Sequence, residues 1–141
     1  MGLAAGCGGG SKPKPTVPAG PKVLHIVFPE GFTRAEMAER IDAVRRIAEQ
    51  RRHVTPRITA EGYLAATASS PLPGTFAGDG KRRPLEGFLF PAKYAFFSDD
   101  TARHFVGRQF AAFRHYWSRV NMSYARSKNL TRYDVPTIER A

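Results

Sequence analysis

Glu86 is the residue that first invites a chemical question. It is the single carboxylate in Leu85-Glu86-Gly87-Phe88-Leu89-Phe90-Pro91-Ala92-Lys93-Tyr94, an apolar and aromatic run bounded by Pro84 and Pro91. Burying an ionised carboxylate without a partner costs several kcal/mol or more. Glu86 is therefore turned to solvent, tied down by hydrogen bonds, or placed for use, and its neighbours alone do not choose between these. Other chemistries have weaker footing. His25, His53, His104 and His115 show no H-x-x-x-H spacing and have no cysteine nearby, so no metal site is expected. No serine stands in a nucleophile-elbow pattern, and no glycine-rich loop follows a strand in the form that cradles phosphate. Cys7, the one cysteine, excludes an internal disulfide framework.

The elements that must position Glu86 can be read in order. Residues 1–21 are rich in Gly, Pro, Ser and Lys, lack periodicity and read as a disordered tether. Cys7 within Leu3-Ala4-Ala5-Gly6-Cys7-Gly8-Gly9 has the flavour of a lipoprotein processing site, but the apolar stretch of roughly 7–15 residues that such a signal needs does not precede it. The run is a flexible tail, or a membrane segment is missing before it. Val23-Leu24-His25-Ile26-Val27-Phe28 is a β-branched run of strand length, stopped by Pro29-Glu30-Gly31. Thr33 and Glu36 form a capping-box pattern, and Met37, Ala38, Ile41, Val44, Ile47 and Ala48 recur at helical spacing over about four or five turns. After a basic turn at Arg51-Arg52-His53, a second helix starts near Thr59, carries Tyr63 and Leu64 inward and fades at Ser69-Ser70-Pro71.

Residues 71–84 read as a loop, and the Leu85 run as extended or turn structure. Ser98 is the expected cap of a long third helix, with Asp99 and Asp100 at its positive end. Val106, Phe110, Phe113, Trp117 and Val120 make one apolar stripe on it, expected in the core. Asn129 suits a left-handed helix end, and Thr131 with Asp134 the start of a fourth helix, which Pro136 stunts.

The chain has 141 residues, 42% hydrophobic and 11% aromatic, enough for one domain or two small lobes sharing a core. Lys and Arg number 22 against 12 Asp and Glu, a formal charge of +10 that suits a polyanionic partner. The base is spread over Arg45-Arg46, Arg51-Arg52-His53 and Lys81-Arg82-Arg83 rather than striped along one helix, which argues against nucleic acid. The fold class expected is α+β: a small strand–helix–helix lobe with a short return strand, then an aromatic-rich segment and a long helix.

Three segments resemble one family. Val27-Phe28-Pro29-Glu30-Gly31-Phe32-Thr33 is similar to the "IPEG" signature of YceG-like endolytic murein transglycosylases. Leu85–Tyr94 resembles their "LEGYLFPDTY" element, with Lys93 where a small polar residue is usual, and Asn129-Leu130-Thr131-Arg132-Tyr133-Asp134-Val135 their "GLTPYEV" helix start. The resemblance covers roughly residues 23–135. It implies a LysM-like lobe over 22–70 and a partial transglycosylase domain over 71–141. It implies a partner, the glycan strands of peptidoglycan, and contact with the cell-wall synthesis machinery. It also implies a place at the outer face of the cell membrane through an N-terminal anchor missing from this chain.

The reaction implied is internal cleavage of glycan strands to 1,6-anhydromuramic ends, with no metal or organic cofactor. One carboxyl group protonates the leaving oxygen and then acts as base toward the sugar's own 6-hydroxyl. An apolar pocket should raise its pKa so that it stays protonated. In the family this glutamate lies one to two turns into the fourth helix; Glu139 in Ile138-Glu139-Arg140 is its match here, with about four intervening residues missing. Glu86, Tyr94 and Phe90 become candidates for the glycan cleft, Tyr94 by stacking on a sugar ring. Glu30 with Gly31 is expected to shape the turn out of the first strand. The resemblance leaves two functions open: a transglycosylase using Glu139, or a catalytically inactive fragment of the family that binds peptidoglycan.

Overall fold

Alternation organises the first strand. In β1 (Val23–Val27), Leu24 and Ile26 point into the core while Val23, His25 and Val27 face out. A computed structural model describes residues 13, 19–72, 76, 82–132 and 134–138. Cys7, Glu139 and most of the expected tether lie outside the described residues. The remaining elements are α1 (Arg34–Arg52), α2 (Ala60–Ala68), β2 (Ser70–Pro71), β3 (Arg82–Arg83), β4 (Lys93–Phe97), α3 (Ala102–Trp117), α4 (Ser123–Ser127) and α5 (Asp134–Ile138). The fold is α+β.

The partner of β1 is β4, antiparallel, with Val23 opposite Phe97 and Val27 opposite Lys93. β2 pairs with β3. Tyr94 and Phe96 therefore share the inward face with Leu24 and Ile26. Phe105 of α3 is the hub beneath that face: Phe28, Tyr63, Tyr94 and Phe96 all meet its ring at centroid distances from 5.6 to 6.2 Å. One buried cluster runs from Leu24 through Met37, Tyr63, Leu85 and Phe88 to Phe113.

Local chemistry explains the helix starts. Thr33 accepts from the Glu36 amide while Glu36 accepts from the Thr33 amide, the expected capping box. Thr59 caps α2 by accepting from Gly62 N–H. Three expectations need correction. The cap of α3 is Thr101, which accepts from His104 N–H; Ser98 instead ties the outer ends of the sheet together through its exchange with Lys22. α3 ends at Trp117, so Val120 lies beyond it and is exposed, and the deepest row is Phe105, Val106, Gln109 and Phe113. Arg51 and Arg52 are the last turn of α1 rather than a turn after it, and His53 closes that helix at φ 51°. Ile47 is also exposed, because it stands about 100° around α1 from the buried row of Met37, Ile41 and Ala48.

Candidate functional site

Two glycines set the geometry at one end of the molecule. β1 leaves the sheet through a turn in which Gly31 has φ +81°, and the Leu85 run reverses at Gly87 with φ +85°, both costly for any residue with a Cβ. Leu85, Phe88 and Leu89 are buried, with Leu85 N–H donating to Thr67 O at 3.0 Å, so the run is anchored to the end of α2. Phe28 N–H donates to Ala92 O at 3.0 Å, which ties the turn after β1 to the other end of the same run.

Glu86 is tied down. Its carboxylate accepts from Arg34 N–H, the first amide of α1, at 3.1 and 3.3 Å, with the Arg34 guanidinium 3.9 Å away. The amide is one of the donors that a helix start leaves without an internal partner, and the positive end of α1 favours the charge. Tyr94 faces inward: its ring packs on Phe28 and Phe105 and its hydroxyl donates to Phe90 O at 2.7 Å. Burial pushes the Tyr94 phenol well above its ordinary pKa. Phe90 is half-buried at the surface, its ring stacked on Tyr116 at 4.2 Å and 6°. Glu139 lies outside the described residues.

A third segment reaches the same place. The chain leaves α4 through Asn129 at φ 56°, where Leu130 N–H donates to Ala125 O and Asn129 N–H to Arg126 O, the paired bonds of a Schellman ending. Thr131 then exchanges bonds with Asp134, which holds the Asp134 carboxyl below its usual range. Pro136 falls at the third residue of α5, inside the first turn, where its missing N–H is not needed.

These pieces enclose a cleft of about 340 Å³. Glu30 and Gly31 line it from the first turn, Gly87, Phe90 and Pro91 from the second, and Val135 and Pro136 from α5, while Phe113, Trp117 and Val120 close the remaining side. A smaller recess continues beneath, between Gly31, Phe32, Gly87, Leu89, Pro91 and Pro136. Of the quoted candidates, Phe90 lines the cleft, Glu86 stands behind it on the α1 start, and Tyr94 supports Phe90 from below. Trp117 and Val120 were not singled out from the sequence as site residues; their only signal was the aromatic density at the end of the α3 stripe.

The cleft offers aromatic and proline surfaces, with Glu30 the one carboxylate among its described lining residues. Among the described residues no three His, Cys, Asp or Glu side chains cluster to hold a metal ion, and no helix is long and apolar enough to cross a membrane. No protein-family model, curated protein or solved structure matches the chain.

Proposed function

We propose that this chain is a peptidoglycan-directed lytic endotransglycosylase of the YceG-like kind, whose cleft holds a glycan strand and whose acid is Glu139. One observation carries the reading. The three segments that resemble the family, dozens of residues apart in sequence, converge on a single cleft, which nothing in their separate sequences requires. In this reading residues 22–70 supply a LysM-like lobe, Phe90 and Trp117 flank the sugar, and Glu139 serves as acid and then base. The protein acts at the outer face of the cell membrane.

Release of 1,6-anhydromuramic ends from purified glycan strands tests it, with loss of that product in Glu139→Gln. Equal inactivity of wild type and variant sinks the catalytic part. A second reading has its own support: of the carboxylates described at the cleft, Glu30 on its wall is exposed and Glu86 is held by the Arg34 amide, so neither stands buried and free to face a glycosidic bond. On that reading the chain binds peptidoglycan without cutting it, and retention on insoluble peptidoglycan without product distinguishes the two. Absence of both product and retention at moderate salt removes both.

A further inference from the structure

Trp117 borders two hollows, not one. Phe113, Trp117 and Val120 also line a second, larger hollow of about 610 Å³, so the two share one wall. The character changes across that boundary. Arg114 from α3, Arg126 from α4 and Arg132 from the turn before α5 all line the second hollow, and none of the described residues lining it is acidic. Among the described residues, none of the three guanidinium groups has a hydrogen bond or an ion pair. By contrast Arg34, Arg45, Arg52 and Arg108 are each engaged by a carboxylate or a carbonyl.

Three cations from three elements, set around one hollow with no acid among its described lining residues, repel one another until an anion arrives. A guanidinium fork matches a carboxylate bidentately. We infer that this arm receives the carboxylates of peptides carried by the glycan strand, and so reads the peptide substituents while the cleft holds the sugar. The inference rests on the glycan reading for the identity of the polymer. The position of the arm supports a side group over more sugar: it shares Trp117 with the cleft, and to aromatic walls like those of the cleft it adds three guanidinium groups.

The test measures binding of the full chain to insoluble peptidoglycan and to the same material after an amidase has removed its peptides. Free acidic stem peptide and inorganic pyrophosphate serve as soluble competitors. Peptide-bearing strands are expected to bind roughly tenfold or more tightly than bare strands. Arg114→Gln, Arg126→Gln and Arg132→Gln together should erase that preference and leave bare-strand binding unchanged. A control with the same loss of charge, Arg46→Gln, Arg51→Gln and Lys93→Gln, should keep it. The single Arg132→Gln, at an exposed position, gives the same comparison should the triple variant fail to fold.

Equal binding of the two materials overturns the arm and leaves the cleft reading intact. So does an equal loss in the control, which would trace the preference to overall charge. Competition by pyrophosphate at lower concentration than by peptide overturns the carboxylate assignment. Binding of neither material overturns the glycan reading; arginine-dependent capture of free peptide would then still uphold the arm, and its absence would overturn that too.

Discussion

The carboxylate of Glu86 accepts a hydrogen bond from the backbone N–H of Arg34 at 3.1 Å, across 52 positions of sequence. It joins the turn of the Leu85 run to the first residue of α1, and so fixes two walls of the cleft relative to each other.

Glu86→Ala should therefore cost about 1–2 kcal/mol, the range for a lost helix-start acceptor. Glu86→Gln keeps an oxygen for the amide and should cost less than about 1 kcal/mol, because the ion pair with Arg34 is long and the carboxylate more than a third exposed. Urea unfolding of the two variants checks the order; equal costs would mean that charge, rather than the amide bond, is what matters.

Alkaline pH should destabilise the fold through Tyr63. Its side chain is fully buried, its hydroxyl donates to Gln109 Oε1 at 2.8 Å, and burial pushes its pKa well above the ordinary value near 10. Between that ordinary value and the raised one, the unfolded chain has lost the proton and the native chain keeps it. Stability is thus full below about pH 10 and falls as pH rises through that window. Tyr63→Phe should remove this contribution to the alkaline slope while costing about 1–3 kcal/mol at neutral pH, since Gln109 Oε1 is left without its donor. Near-ultraviolet absorbance of tyrosinate, followed against circular dichroism, measures both.

Acid should loosen α5 before the core. The Asp134 carboxyl is held below its usual range by the hydroxyl and amide of Thr131, so the bonds they share are present above the unfolded carboxylate range and lost as pH falls through the lowered pKa. Thr131→Val should remove most of the acid sensitivity of amide exchange in α5 and leave that of β1 unchanged. Exchange measured residue by residue over pH 2–6 checks this window, which follows from the ordinary carboxylate pKa.

Phe90→Ala should separate binding from stability. The side chain is half-buried and stacks on Tyr116, so its removal should cost about 1–2 kcal/mol. Its carbonyl, which accepts from Tyr94, is untouched. Retention on insoluble peptidoglycan should fall several-fold, and unchanged retention would argue that the strand does not pass over this ring.

Much of the local structure was legible because it is local. The Thr33–Glu36 box, the Thr59 cap and the left-handed Asn129 each depend on residues within a few positions of one another, and each appears where the sequence put it. What escaped depends on distance or disguise. No pattern in β1 names β4 as its partner, and none in Glu86 names Arg34. The α3 row is hidden in the sequence because Gln109, a polar residue at 0% exposure, interrupts Phe105 and Phe113; only the structure shows Tyr63 and Met37 there to receive it. Ser98 is a good capping residue by type, but Lys22 claims it first. The candidate site was legible as three separate segments and illegible as one cleft, because chain reversal at Gly31 and Gly87 brings them together.

The pairing of β1 with β4 also sets a timetable for biosynthesis. A strand completed at Val27 has no partner until Lys93 to Phe97 have been made, and closing a loop of that length costs on the order of 4 kcal/mol in chain entropy. On the ribosome, α1 and α2 can meet while Leu24 and Ile26 are still uncovered, so the earliest-made hydrophobic strand is among the last to be shielded. Nascent chains arrested before Lys93 emerges should offer that strand to a holdase chaperone, and chains arrested well after Phe97 should not.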